Sequence, residues 1–307
     1  MKNLLPLLGL LLLIACGANE NTNNNSGTTN SNDGVALNTN VNATTEIPPA
    51  ESPDITVTIN GYKNGGLAQL IGVYQGKNYL ADSSQINNGV IHFKRTEPYK
   101  QGLLFVVLPD NNNIQVLVSH DQTFSMTCTY PDLANSMKVE GSLDNQLLYD
   151  VFKFELTQRP QFTTIANQMR GVDPATKQYM DLRNQQNSLL DERNAYLNKV
   201  FSENPNTLFT HFKRAGANPD IRDAVNADGT LNSALYGYKY RDQFWDGVDF
   251  SDDRLMWTPV ISNKLERYMN ELTPQNPDSI LKYAYKLVDQ VVQRPEYFKY
   301  FANWIVL

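Results

Sequence analysis

The chain has 307 residues, of which 41% are hydrophobic, and its formal net charge is −6 at neutral pH. This length suits one or two ordinary domains, and the hydrophobic share excludes a wholly disordered or collagen-like protein. The acidic balance argues against a nucleic-acid partner, because phosphate binding needs concentrated positive charge. Two cysteines and three histidines leave little room for a closed zinc site, which usually takes four ligands. From composition we therefore expect neither a metal nor another cofactor.

The first sixteen residues have the pattern of an export signal. Met1-Lys2-Asn3 is a short positive segment, and the apolar run from Leu4 to Ile14 is about half as long as a membrane-spanning helix. The run ends in Leu13-Ile14-Ala15-Cys16, which resembles the lipobox of bacterial lipoproteins. That resemblance implies a signal peptide over residues 1–16, lipidation of the Cys16 sulfur and a lipid anchor in a membrane of the cell envelope. The alternative is a chance cysteine beside an ordinary signal peptide.

Residues 17–54 have the composition of a flexible tether. They are rich in Asn, Thr and Ser and nearly free of bulky apolar side chains. Such a segment cannot bury enough surface to offset the entropy that it would lose on ordering. We therefore expect residues 17–54 to link the lipid to the folded part of the chain.

Residues 55–142 show the two-residue period that is typical of β-strands. The run from Ile55 to Ile59 alternates apolar residues with threonines, and Leu103–Leu108 is a continuous apolar run. That run is long enough for a strand buried on both faces but too short for a helix. Turns containing Gly, Asn and Pro separate these segments. The pattern predicts an antiparallel β sandwich or small barrel.

From residue 143 to residue 307 the apolar residues recur at helical spacing. Thr258-Pro259 and Asn276-Pro277 each place a capping side chain before a proline at the first helical position. We expect an all-α domain over residues 143–307. The fold class predicted for the whole chain is therefore α+β, built as two domains.

The last predicted helix opens at Pro295 and has an apolar face that includes Phe298 and Phe301. It ends in Trp304-Ile305-Val306-Leu307, without a glycine cap or a basic residue in its final turn. A chain terminus is usually polar, so this ending predicts a helical domain that is truncated. The alternative is a short protein whose last helix packs on its own domain.

No catalytic residue stands out in the sequence. Cys128 is the only thiol left if Cys16 is acylated, and its strand shares a face with other apolar side chains, which predicts a buried structural cysteine. The histidines lie at no recognised catalytic spacing from a Ser, a Cys or one another. They are His92, His120 and His211.

The densest acidic cluster consists of Asp246, Asp249, Asp252 and Asp253. Its spacing does not fit a calcium loop of the EF-hand type, which needs carboxylates at alternate positions, a central glycine and a distal glutamate. A helix capped by Ser251, with acidic residues in its first turn, explains the same sequence. We therefore favour capping over metal binding.

Three aromatic residues of the helical region form a candidate ligand groove for a sugar or a peptide. They are Phe244, Trp245 and Trp257. The alternative is that these rings belong to the core of a helical domain, as large aromatic side chains commonly do.

Five segments resemble domains of Bacteroidetes envelope thiol-disulfide oxidoreductases. The stretches 88–93 (NGVIHF) and 139–145 (VEGSLDN) are similar to their N-terminal β domain of unknown function. The stretches 244–255 (FWDGVDFSDDRL), 258–260 (TPV) and 272–280 (LTPQNPDSI) are similar to a second, helical domain of unknown function in those proteins. The resemblance covers nearly all of residues 55–307.

In that family, a thioredoxin-like domain of the peroxiredoxin type follows these two domains and carries the redox cysteines. The 307 residues contain no Cys-x-x-Cys motif, so no catalytic residue can be transferred from the family. The resemblance implies a membrane-anchored accessory or N-terminal region that positions or recognises a substrate for a thioredoxin-like domain or an envelope redox partner. One alternative is a stand-alone surface or periplasmic lipoprotein that binds a glycan or a peptide. Another is a hydrolase with dispersed carboxylates.

Overall fold

The computed structural model describes residues 49–306. The predicted signal peptide, Cys16 and most of the predicted tether lie outside these residues. Within them, no helix combines the length and the apolar character that crossing a membrane requires.

The first part of the described chain is built from β-strands. They are β1 Asp54–Asn60, β2 Gly66–Tyr74, β3 Lys77–Ile86, β4 Val90–Lys94, β5 Gly102–Val107, β6 Asn113–Val118, β7 Thr123–Thr129 and β8 Lys138–Glu140. Two four-stranded sheets result, with strand orders β4-β1-β7-β8 and β3-β2-β5-β6. These strands do not close into a barrel, so the structure takes the two-sheet form of the predicted β region.

The hydrophobic pattern of the strands follows their burial. In β1 the residues Ile55, Val57 and Ile59 are buried, while the threonines between them are partly exposed. Strand β5 is buried at every position from Gly102 to Val106, as its continuous apolar run predicts. Strand β1 is therefore buried on one face of its sheet, whereas β5 is buried on both faces.

One strand pair departs from the antiparallel prediction. Strands β1 and β7 pair in parallel, with Ile59 opposite Cys128. A parallel pair needs a long connection, and here the chain between the two strands forms β2 to β6. The two-residue period has the same form in parallel and antiparallel strands, so it could not reveal this pairing.

Helices make up the second part of the described chain. They are α1 Leu143–Met169, α2 Lys177–Glu203, α3 Leu208–Ala215, α4 Ser233–Asp242, α5 Pro259–Arg267, α6 Pro277–Val291 and α7 Pro295–Val306. A 3₁₀ helix over Asp253–Trp257 precedes α5, and a π-helical turn over Tyr268–Leu272 follows it.

Two predicted helix starts are confirmed. The Thr258 side chain accepts a hydrogen bond from the backbone N–H of Val260 at the start of α5. The Asn276 side chain does the same for Ser279 at the start of α6, at 3.0 Å. A proline occupies the first turn of each helix. A backbone N–H at this position has no partner within the helix, so the proline costs no hydrogen bond.

The predicted apolar face of α7 is only partly correct. Phe301 is fully buried, and Tyr297 and Tyr300 are buried beside it. Phe298 instead points away from the core and exposes 38% of its surface. The two tyrosines bury their rings while their hydroxyls donate to backbone carbonyl oxygens. The buried face of α7 is therefore formed by Tyr297, Tyr300 and Phe301, and Phe298 lies beside it.

The β and helical parts share one continuous set of buried hydrophobic residues. Helix α1 runs beside β6, which is the outer strand of its sheet. The buried Asn145 side chain bonds both the N–H and the C=O of Leu117. One turn later, the Tyr149 hydroxyl donates to the carbonyl of Gln115 at 2.8 Å. Helix α1 therefore covers the open edge of β6.

Candidate functional site

The aromatic residues of the candidate groove occupy two different environments. Phe244 and Trp245 expose only 2% and 5% of their surface. Their rings contact other aromatic rings of the helical part, including Tyr268 beside Phe244 and Phe301 beside Trp245. These two rings therefore line no open groove in the structure.

Trp257 lies instead at the contact between the helical part and the β part. Its ring stacks on Tyr74 of β2, with a centroid separation of 4.1 Å and an interplanar angle of 29°. Tyr79 of β3 meets the same ring edge-on at 5.8 Å. All three residues are partly exposed. We call Tyr74, Tyr79 and Trp257 the aromatic junction.

Two glycines allow the aromatic junction to sit directly on the sheet. A Cβ atom on Gly102 would lie 2.3 Å from the Trp257 carbonyl oxygen, and one on Gly72 would lie 2.3 Å from the Tyr79 ring. Both distances are far below van der Waals contact, so any larger residue would displace the rings. The sequence does not reveal this role, because the glycines and Trp257 are far apart in the chain.

Charged groups stand beside the aromatic junction. The Lys100 ammonium lies 5.8 Å from the centre of the Trp257 ring, which is within the range of a cation–π contact. The Tyr74 hydroxyl lies 3.5 Å from a Glu296 carboxylate oxygen. Burial and the nearby Glu296 raise the pKa of Tyr74, so this phenol stays protonated at neutral pH. Ring faces beside a cation, an anion and a phenol are suited to hold a sugar or a peptide by stacking and hydrogen bonding.

Cys128 is a structural residue, as its strand position predicts. It exposes 1% of its surface and faces the core together with Phe124 and Met126. Burial raises the pKa of its thiol to about 12. A thiol acts as a nucleophile through its thiolate form, so Cys128 is unreactive at neutral pH in the folded chain.

The acidic cluster has an ion-pair network at its centre. The buried Asp252 carboxylate accepts two hydrogen bonds from the Arg254 guanidinium, at 2.8 and 2.7 Å. Its second oxygen also lies 2.7 Å from Nδ1 of His211 in α3. Burial raises the pKa of Asp252, but His211 and Arg254 outweigh that effect and hold it at about 2. Asp252 is therefore an ionised group that pairs with the Arg254 guanidinium and lies against the His211 ring.

The helix cap in this cluster is shifted by one residue from the prediction. Asp252, and not Ser251, accepts the backbone N–H of Arg254 at the start of the 3₁₀ helix. Ser251 is occupied otherwise, because its N–H and its hydroxyl both donate to Asp249. Capping explains the cluster, as expected, but through a different side chain.

Lys264 is a buried amine that the sequence patterns did not single out. It lies in α5, and its Nζ is 4.0 Å from the centre of the Phe244 ring and 3.3 Å from the Ala217 carbonyl oxygen. Burial, assisted by the nearby Arg267, lowers the pKa of Lys264 to about 7. Its position three residues after Ile261 and next to Leu265 places it on the apolar face of the helix, which is the signal that could have identified it.

A second group that the sequence did not reveal links three helices. Glu155 of α1 pairs with Arg193 of α2 at 2.6 Å and with Lys213 of α3 at 2.8 Å. Burial raises the pKa of Glu155, but the two cations more than compensate and lower it overall. The network holds these helices together, and its groups bond to one another rather than facing an open site.

The three histidines do not form a common site. His92 pairs with Asp54 at 2.6 Å on the outside of one sheet, and His211 belongs to the Asp252 network. His120 lies in the turn between β6 and β7, close to Glu51 and Asp121. The three residues therefore belong to separate parts of the structure.

Comparison with protein-family models, with curated proteins and with solved structures gave no match for this chain. Its function is therefore inferred from its own residues.

Proposed function

We propose that the chain is a lipid-anchored accessory or N-terminal region of an envelope thiol-disulfide oxidoreductase of the thioredoxin and peroxiredoxin type. In this role it positions or recognises a substrate for a thioredoxin-like domain and does no redox chemistry itself. The resemblance of five segments of the chain to two domains of that family carries this proposal, and the buried thiol of Cys128 is compatible with a region that does no redox chemistry. A protein of this kind would have to leave dithiol exchange to a partner domain.

The close packing between the two parts supports a positioning role. The β sheets and the helices share one buried core, and α1 is bonded along the edge of β6. A body of this kind presents its surface residues in fixed relative positions, which favours precise recognition. A flexible linker of about 30 residues has a root-mean-square span of about 30 Å. A tether before residue 49 would therefore hold this body close to the membrane.

The proposal is tested by a calorimetric titration of the chain carrying Cys16→Ser with a purified thioredoxin-like domain of the peroxiredoxin type. We expect saturable one-to-one binding, and no consumption of a disulfide substrate by the chain alone. The absence of binding at protein concentrations of about 100 μM, which corresponds to a weak transient complex, would contradict the accessory role. A denatured sample of the same chain serves as the control for nonspecific association.

A second function has its own supporting observation, the aromatic junction. Its half-exposed rings beside Lys100 and Glu296 favour a stand-alone lipoprotein that binds a glycan or a peptide. A glycan and peptide array probed with the Cys16→Ser chain tests this alternative. Binding should weaken in Tyr79→Ala and Lys100→Ala and should persist in Lys282→Ala, a control on the exposed face of α6. Equal binding by all four proteins would argue against the aromatic junction as the site.

A further inference from the structure

Three potential metal ligands meet where the chain enters β1. Glu51 lies just before that strand, and His120 and Asp121 lie in the turn between β6 and β7. One oxygen or nitrogen atom of each side chain lies within 4.8 Å of the corresponding atom of the other two. His120 Nε2 and Asp121 Oδ1 are 3.8 Å apart.

A backbone carbonyl fixes the orientation of His120. Its Nδ1 is hydrogen bonded to the carbonyl oxygen of Pro49. A carbonyl oxygen only accepts, so Nδ1 must carry the hydrogen. In the neutral imidazole the lone pair is then on Nε2, the atom that faces Asp121. Metal-binding histidines are commonly oriented in this way, with the second ring nitrogen donating to a carbonyl or a carboxylate.

The scaffold beneath the three side chains is held by a buried residue. Gln122 is completely buried, and its side chain bonds both backbone polar groups of Tyr99 and the carbonyl of Ser119. The Glu51 N–H donates to the His120 carbonyl at 3.1 Å. The two segments that supply the ligands are therefore fixed to each other before any ion arrives, which is the preorganisation that a metal site needs.

The charges of the two carboxylates are not neutralised by a lysine or an arginine in the described part of the chain. Within residues 49–306, neither Glu51 nor Asp121 forms an ion pair with such a side chain, and the pairing that Asp121 makes is the one with His120. The nearby carboxylate of Asp54 in β1 differs, because the Lys94 ammonium pairs with it at 2.5 Å. Glu51 and Asp121 therefore keep their oxygens available for a cation.

We propose that Glu51, His120 and Asp121 bind one divalent transition-metal cation of the Zn²⁺ class, with water completing the coordination. One imidazole and two carboxylates are donors that such cations accept. In a tetrahedral site with bonds of about 2.1 Å, two ligand atoms are about 3.4 Å apart. Glu51 and Asp121 are exposed and His120 is partly exposed, so these side chains, which already lie within 4.8 Å of one another, reach this spacing by small rotations. This proposal departs from the expectation of no metal, which rested on the four protein ligands of a closed zinc site, whereas this site is open and uses three.

Metal binding at this site would link the segment that precedes β1 to the β part of the structure. Glu51 stands at the end of the predicted tether, while His120 and Asp121 belong to the β part. A bound cation would add a link between these two segments beyond the Glu51 N–H bond to His120. Because the ion binds only the folded arrangement, it also stabilises the chain by mass action.

The test is a calorimetric titration of the full chain carrying Cys16→Ser, in mild detergent, with ZnCl₂. The Cys16→Ser change removes a competing thiol. We expect one Zn²⁺ per chain, and binding at least about tenfold weaker in His120→Gln, as expected when a ligand is removed from a metal site. Asp121→Asn should weaken binding in the same direction. His92→Gln is the matched control, because His92 is also exposed and lies beside a carboxylate, and it should leave the affinity unchanged.

Thermal unfolding provides a second readout. ZnCl₂ should raise the Tm of the parent chain and of His92→Gln, but not that of His120→Gln. The metal-free Tm of each variant shows that it is folded, and the partly exposed His120 ring makes that outcome the expected one. Equal Zn²⁺ affinity in the parent chain and in His120→Gln would overturn the proposal, as would the absence of binding at millimolar ZnCl₂.

Discussion

The Asn145 side chain bonds the backbone of Leu117 as a neighbouring strand would. Its Oδ1 accepts the Leu117 N–H at 2.8 Å, and its Nδ2 donates to the Leu117 carbonyl at 2.7 Å. Tyr149, one helical turn later, bonds Gln115, two strand residues earlier. Four helical residues rise about 6 Å and two strand residues about 6.8 Å, so the two elements are nearly in register. Helix α1 thus protects an edge that would otherwise be open to pairing with another chain.

Removing the Asn145 amide should therefore destabilise the fold strongly. Asn145→Ala leaves the N–H and C=O of Leu117 buried without partners, at about 1–3 kcal/mol for each group. We expect the free energy of unfolding in urea to fall by about 2–6 kcal/mol. Gln146→Ala, at the exposed neighbouring position, is the control and should change it by less than about 0.5 kcal/mol. Equal effects of the two substitutions would show that the edge contact contributes little.

The Cys128 thiol should be inert in the folded chain. Its pKa of about 12, against an ordinary value of 9.0, lowers the thiolate fraction about a thousandfold, since each pKa unit is a factor of ten. In the Cys16→Ser chain, an aromatic disulfide reagent should react with Cys128 only after unfolding. Absorbance of the released thiolate measures the reaction. Rapid reaction of one thiol in the folded chain would contradict the burial of Cys128 and the proposal that this region does no redox chemistry.

Lys264 should make stability rise with pH in the alkaline range. Its pKa is about 7 in the folded chain, against an ordinary value of 10.5. Between these values the unfolded chain binds a proton that the folded chain has released, so stability increases with pH. In Lys264→Met this increase should be absent, and the stability difference between the two proteins should change by about 1–3 kcal/mol between pH 7 and pH 9. Lys282→Met, at an exposed site, is the control.

Urea unfolding at several pH values measures this effect. Asp246 and Arg267 are the charged groups near Lys264, and they act in opposite directions on its pKa. A stability difference between Lys264→Met and the parent chain that does not vary with pH would show that Lys264 is protonated in the folded state up to its ordinary pKa.

His211 should make stability fall as the pH rises, which is the opposite of the effect of Lys264. Its contact with Asp252 raises its pKa above the ordinary value of 6.5. The stabilisation is therefore complete below about pH 6.5 and is lost as the pH rises through the higher folded-state value. His211→Gln should lower stability at pH 6 more than at pH 9, while His92→Gln, at an exposed ion pair, should have little effect. Thermal unfolding at pH 6 and pH 9 measures this difference. An equal effect of His211→Gln at both pH values would contradict the raised pKa of His211.

Local patterns in the sequence were sufficient to predict these strands and helix starts. The alternation from Ile55 to Ile59, the apolar run in β5 and the prolines after Thr258 and Asn276 each depend on residues close together in the chain, and the structure confirms them. The α+β layout follows from the same patterns. What they could not provide is the arrangement of elements in space, such as the parallel pairing of β1 with β7.

The candidate site was less accessible to prediction for a physical reason. A run of aromatic residues has the same appearance whether the rings line a groove or fill a core, and Phe244 and Trp245 are buried. Trp257 meets Tyr74 across a long stretch of intervening chain, and no local pattern encodes that contact. Asn145 likewise has the appearance of an ordinary polar residue in the first turn of a helix, although its partner lies 28 residues earlier.

The lipid anchor is the claim on which the envelope role depends most directly, and the intact mass of the mature native protein tests it. We expect a chain that begins at Cys16 and carries the added mass of acyl groups, and we expect Cys16→Ser to lose that addition. A mature chain without an acyl addition at Cys16 would contradict the anchor and, with it, the proposed place of this protein at the membrane.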